Sequence, residues 1–206
     1  MDPGLPGNEP ADGSTPAGEN GKAAWRARLV AGRREPDPAG DAARTRLLLA
    51  LPEVMAAGTV AAYVSMRTEP DTTGALASLA ERGVRVLLPV LLPDRDLDWA
   101  EAGDLVEGPA GLREPAGPRL GVDAVRQADV VICPGLAADR SGTRLGRGGG
   151  SYDRALARTR AETLRVLLLR EGELVTRLPA EAHDADVDVV VTPTSVVRLA
   201  RPSTNR

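Results

Sequence analysis

Apolar positions change their spacing several times along the chain, and each change marks an element. Residues 1–20 are rich in Gly, Pro and acidic residues and hold little that can be buried, which predicts a disordered tail ahead of a single domain over 21–206. Residues 22–34 then read as a basic helix with Trp25 and Leu29, four apart, on one face. A second helix is expected over 41–55 with Leu47, Leu48 and Leu51 inward, bent or ended by Pro52. From residue 59 the period shortens. Residues 59–66 (TVAAYVSM) form a short apolar run bounded by turn residues, the pattern of a buried strand. A helix over 72–82 closed by Gly83, a strand over 84–88, a short strand over 97–99 and a buried strand over 129–133 (DVVIC) follow. After a long loop come a helix over 152–160 and strands over 165–169 and 187–192. Strands nearly continuous in Val and Leu, alternating with helices, predict an α/β fold with a mainly parallel sheet covered on both faces. Ligands of such folds sit beyond the carboxyl ends of the strands.

Composition narrows the function. The 206-residue chain has a formal charge of −3, without the basic excess of a nucleic-acid binder. Its apolar residues are mostly Ala, Val and Leu; there is no Phe, and Lys22 is the only Lys. The single Cys133 excludes an internal disulfide and, within an apolar run, reads as a small buried hydrophobe. No run reaches the ~20 apolar residues of a membrane span, and the N-terminus has no secretory hydrophobic segment. A cytoplasmic, monomeric protein with neither a nucleic-acid nor a membrane partner is the expectation.

The most informative stretch is 134–154, PGLAADRSGTRLGRGGGSYDR, between a buried strand and a helix. Gly146, Gly148, Gly149 and Gly150 leave the backbone bare, so that several N–H groups can face one anion. Arg144 and Arg147 among the glycines suit bidentate contact with phosphate oxygens. Asp153, one step beyond, suits a divalent cation bridging phosphates, with Asp139 as a weaker candidate. The loop is not a dinucleotide fingerprint: Ser151 occupies the third glycine position, and about a dozen residues separate it from the strand. Nor is it a P-loop, because no Gly-Lys-Ser/Thr follows.

Residues 139–154 (DRSGTRLGRGGGSYDR) resemble the signature D-x-x-G-x-R-L-G-x-G-[GK]-G-Y-Y-D-R of the 5-formyltetrahydrofolate cyclo-ligases, also called methenyltetrahydrofolate synthetases. Three other segments fit in order: Lys22-Ala-Ala-Trp-Arg26, the run 63–72 (YVSMRTEPDT), and 178–188 (LPAEAHDADVD). The likeness spans roughly residues 21–200 and departs at Ser151, where the family usually has an aromatic. It implies a fold of the NagB/RpiA/CoA-transferase-like type. It further implies ATP binding by Lys22, Arg26, Arg144, Leu145, Gly146, Arg147, Gly148, Gly149, Gly150, Ser151 and Tyr152, with Lys22 and Arg144 catalytic. Val64 and Glu69, with Arg147, Gly148, Gly149, Gly150, Ser151 and Tyr152, would bind the folate. Asp153 and Asp184 would hold Mg2+. The implied reaction is ATP-driven closure of 5-formyltetrahydrofolate to 5,10-methenyltetrahydrofolate, releasing ADP and phosphate. A relative that binds nucleotide or folate without turnover is the alternative. Asp71 or Thr72 reads as a cap for the following helix, and His183 as a hydrogen-bonding loop residue rather than a general base.

Overall fold

The computed structural model describes residues 21–181 and 184–199, so the expectations for the tail and for His183 lie outside the described residues. Five helices and twelve strands run in the order α1 (Lys22–Gly32), α2 (Pro38–Leu49), α3 (Pro52–Ala56), β1 (Thr59–Ala62), α4 (Thr73–Glu81), β2 (Arg85–Leu91), β3 (Leu97–Glu101), β4 (Leu105–Glu107), β5 (Arg113–Pro115), β6 (Val130–Cys133), β7 (Ala137–Asp139), β8 (Arg144–Leu145), α5 (Ser151–Ala157), β9 (Leu164–Leu168), β10 (Leu174–Val175), β11 (Val189–Val191) and β12 (Val196–Arg198). Short 3-10 helices lie at Pro109–Gly111, one turn, and Val122–Gln127, two turns.

Seven strands form one sheet in the order β12-β11-β9-β6-β1-β2-β3. The five central strands pair in parallel, and only the edge strands β12 and β3 run antiparallel. Side chains alternate between faces, and the two faces bury different partners. Val60, Ala62, Val130, Ile132, Val166, Leu168, Val189 and Val191 pack with Leu48 of α2, Val54 of α3 and Leu79 of α4. The intervening Ala61, Leu87, Val131, Cys133, Leu167 and Val190 face Ala155 and Leu156 of α5, Trp99, and the 3-10 turn at Ala124 and Val125. Both faces being covered explains why these strands read as unbroken apolar runs.

Several boundaries move for identifiable reasons. Pro52 does end the second helix, and a separate turn, α3, starts at it. The strand read over 59–66 pairs only as far as Ala62, and Tyr63–Met66 leave the sheet to form a loop. β2 instead extends to Leu91, because β3 pairs along it in antiparallel register from Leu87–Glu101 to Leu91–Leu97. The long loop after β6 contains β7 and β8, which join β10 in a three-stranded sheet. Helix α1 packs on that small sheet through Trp25 and Leu29, against Ala137, Leu145 and Leu178. Thr72 occupies the N-cap position of α4 without capping it; its hydroxyl donates to the Tyr63 carbonyl at 2.8 Å. No helix among the described residues is long and apolar enough to cross a membrane.

Candidate active site

The carboxyl ends of β1, β2 and β6 open into a cavity of about 380 Å³. Each chain segment contributes what its local structure dictates. Lys22 and Arg26, four apart on α1, face the cavity together. The loop after β1 brings Tyr63, Val64, Met66 and Glu69, and the turn after β6 brings Pro134 and Gly135. Strand β8 supplies Arg144 and Leu145, the glycine run follows, and α5 presents Ser151, Tyr152 and Asp153. Asp184 comes from the segment before β11. Every site residue expected from the sequence therefore lines one cavity, whereas Asp139 does not. Asp139 is buried, and its carboxylate accepts from the Ser141, Thr143 and Leu178 amides and from the Ser141 hydroxyl, which fixes the β7–β8 turn.

Three of the four cations of the site are held by carboxylates, and Arg26 by a backbone carbonyl. Lys22 Nζ lies 2.7 Å from both oxygens of Asp184 and 3.1 Å from Glu181. Arg144, 3% exposed, donates from Nη2 to Asp153 Oδ1 at 2.6 Å and from Nη1 to the Pro134 carbonyl at 3.1 Å. Arg147 Nε reaches Glu69 Oε1 at 3.1 Å, while the other Glu69 oxygen accepts the Met66 amide. Arg26 Nε donates to the Gly146 carbonyl at 2.9 Å, and its guanidinium lies against Gly148. Gly148 has φ +100°, a conformation that favours glycine, whereas a Cβ there would meet only the Arg26 guanidinium, at 3.4 Å or more. Among the residues lining the cavity, two enclosed polar atoms have no protein partner, Arg144 Nε and the Tyr152 hydroxyl.

Ionisation follows from burial. Desolvation pushes the Tyr152 and Tyr63 hydroxyls well above the ordinary tyrosine value, aided for both by the negative Glu69, so both remain protonated donors. Burial likewise raises the Cys133 thiol to about 11, and Cys133 is the small core hydrophobe expected of it rather than a nucleophile.

Two sets of lining residues were not legible in the sequence. Pro134 and Gly135 had one available signal, their place directly after a buried strand. Pro89, Leu91, Leu97, Leu112, Arg113 and Glu114 had none, since the pairing of β2 with β3 and the fold of 105–115 bring them there. Glu114, 6% exposed, is tied to this wall by accepting the Leu91 amide at 2.8 Å.

For a divalent cation the donor set is small. Among the described residues there is no group of three or more His, Cys, Asp or Glu. Asp153 and Asp184 are nonetheless brought close, because the amide of Ala185 reaches Asp153 Oδ1 at 3.4 Å. One or two carboxylates completed by phosphate oxygens and water suit Mg2+, so the pair fits that ion with a nucleotide present.

Known proteins resemble the chain over most of its length. A model of the 5-formyltetrahydrofolate cyclo-ligase family matches residues 19–193. A 5-formyltetrahydrofolate cyclo-ligase of Mycolicibacterium smegmatis is 44% identical over 142 residues, 66% of this chain and 73% of that protein. Its Escherichia coli K12 counterpart is 37% identical over 163 residues, 76% of this chain and 89% of that protein. The solved 5,10-methenyltetrahydrofolate synthetase of Aquifex aeolicus superposes with a TM-score of 0.74 at 28% identity, covering 90% of this chain and 96% of that one. On this likeness of sequence and fold, the chain belongs to the 5-formyltetrahydrofolate cyclo-ligase family, a family of ligases.

Proposed function

We propose that the chain converts 5-formyltetrahydrofolate to 5,10-methenyltetrahydrofolate with consumption of MgATP. The observation that carries this reading is the convergence of Lys22, Arg26, Arg144 and Arg147 on the bare backbone of Gly146–Gly150 within one cavity. Four cations and a glycine run provide for a polyphosphate, and the family supplies the folate chemistry. The opposite wall is apolar, with Val64, Met66, Pro89, Leu91, Leu97 and Leu112, and suits the flat rings of a folate. Glu69 has the acceptor pair that a row of pterin N–H donors requires.

The N5-formyl group is an amide and a poor electrophile. Its oxygen attacks the γ-phosphorus of ATP, the bond to the ADP oxygen breaks, and a phosphorylated formyl group results. N10 then attacks the formyl carbon and loses its proton. The C–O bond breaks, phosphate departs, and the five-membered ring closes. Such transfer asks the protein for position and charge rather than a covalent intermediate. Lys22 and Arg26 neutralise phosphate oxygens, and Arg144 stabilises the charge that develops on the transferred group. The unpartnered Arg144 Nε and Tyr152 hydroxyl gain acceptors when substrate oxygens arrive. Asp153 and Asp184 would hold Mg2+, which would supply neutralisation of phosphate charge.

Ultraviolet absorbance of the methenyl product, followed with 5-formyltetrahydrofolate and MgATP, tests the reading. The expected outcome is a rise that needs ATP, stops on addition of a chelator and resumes with excess Mg2+. A folded chain that gives no rise overturns the proposal.

A further inference from the structure

Helix α1 carries two of the cavity's cations yet has no buried residue of its own. Trp25 and Leu29 give it only a partly buried apolar footing. The contact that secures its far end is made by Arg33, the C-cap residue, which is 4% exposed. Arg33 Nε and Nη2 donate to the two oxygens of Glu173 at 2.7 and 2.6 Å, and Nη2 also donates to the Gly135 carbonyl at 2.7 Å. Glu173, 6% exposed, is fixed in turn by the Arg170 amide at 2.7 Å. One residue earlier, the Pro134 carbonyl accepts from Arg144 at 3.1 Å. Two buried guanidinium groups therefore grip consecutive carbonyls of the turn between β6 and β7. That turn is closely packed: a Cβ on Gly135 would meet Leu167 Cδ1 at 2.8 Å and Arg144 Cγ at 3.4 Å.

The contacts at the other end of α1 are of a different kind. Lys22 is held by Asp184 and Arg26 by the Gly146 carbonyl, contacts on the cavity that entering phosphate oxygens would replace under the proposed function. Arg33 and Glu173 do not line the cavity, so their contact persists through that exchange. A buried ion pair adds little net stability over apolar residues of similar volume. Placement accounts better for a charged pair set behind the cavity.

We propose that Arg33 and Glu173 are positioning residues for the phosphate-handling end of the site. They fix α1, and with it Lys22 and Arg26, and they fix the turn against which Arg144 is oriented. The inference rests on reading the cavity as the ATP site.

Arg33→Met combined with Glu173→Gln removes both charges together and leaves no unpaired buried charge. In the methenyl-forming assay the double variant is expected to need about tenfold more ATP for half-saturation, with folate half-saturation within about twofold of wild type. Trp25 lies on α1, and the other tryptophan, Trp99, is fully buried. Its fluorescence therefore reads the binding of a non-hydrolysable MgATP analogue without turnover, and about the same tenfold loss is expected. Arg33→Lys, which keeps the charge but not the planar fork, should fall between the two and serves if the double variant does not fold. A folded variant with unchanged ATP half-saturation and analogue affinity, or with ATP and folate constants worsened alike, overturns the proposal. A wild-type chain that neither binds the analogue nor consumes ATP overturns the functional reading and this inference with it.

Discussion

Arg144 is the residue on which the chemistry of the cavity converges. Its guanidinium is almost wholly enclosed, one nitrogen on Asp153, one on the Pro134 carbonyl and one without a protein partner. Enclosure strengthens its field at the site, since little water screens it. Arg144→Ala should lower kcat by about 10²–10³, as the loss of one transition-state partner does. The measurement is steady-state turnover at saturating ATP and folate, with circular dichroism to show a folded chain; turnover near wild type would remove Arg144 from the catalytic group. The motif made Arg144 legible as a residue of the cavity, with contact to phosphate as its proposed role. It did not show that Asp153, expected to hold a cation, also orients this arginine, because pairing across nine positions depends on how α5 folds back on β8.

At the scale of elements, α5 is the piece that most needs external support. It spans only seven residues, too few for a helix to persist alone. Ala155 and Leu156 bury its inner face, and Arg158 at its C-cap forms a two-pronged pair with Asp96 beside β3, at 2.9 and 2.6 Å. Those hydrogen bonds, chiefly, hold the Asp96 carboxyl below its usual range against the opposing effect of burial. Arg158→Ala should destabilise the fold by about 1–2 kcal/mol, the lower part of the range for charged hydrogen bonds because Arg158 is partly exposed. Urea denaturation measures this, and a loss below ~0.3 kcal/mol would show the pair to be an ordinary surface contact. Near-continuous runs of Val, Leu and other apolar residues made the parallel strands legible from sequence. Strands β4, β5, β7, β8, β10 and β12 were not, because each has only two or three residues and their periodicity cannot be distinguished from loop.

At the scale of the molecule, five carboxyl groups depart from the ordinary range, four downward and one upward, and the two directions respond oppositely to acid. Hydrogen bonds from Arg198 lower Glu53, and backbone hydrogen bonds from Thr59 and Gly58 lower Asp129. Burial works to raise Asp71, but the Ser65 and Thr73 hydroxyls overcome it and leave it lowered. With Asp96, these groups contribute stability that is complete above the unfolded carboxylate range and is lost as pH falls through their lower folded values. Asp186 has the opposite sign. Burial and then the negative Asp139 raise it, so its ionisation at neutral pH opposes folding. The expected profile is a thermal midpoint that declines below about pH 4. Asp186→Asn should raise the midpoint at pH 7, and the gain should vanish as pH falls below the range in which the wild-type aspartate is ionised. Differential scanning calorimetry across pH checks both; an Asn variant less stable than wild type at neutral pH would contradict the assignment.

What the sequence determined by itself is local or periodic: the α/β class, the buried central strands, and the stretch 144–150, where bare backbone and cationic side chains lie side by side along the chain. What only the tertiary structure decided depends on distant segments meeting. The Asp184 contact of Lys22, the Glu69 contact of Arg147, the Glu173 contact of Arg33 and the cavity wall brought together from β2, β3 and residues 112–114 are of this kind. Partners separated by 78 to 162 positions share no periodicity that a sequence displays. Their charges meet because sheet pairing and core packing fix where each segment ends, and those energies are spread over many residues rather than written in any motif.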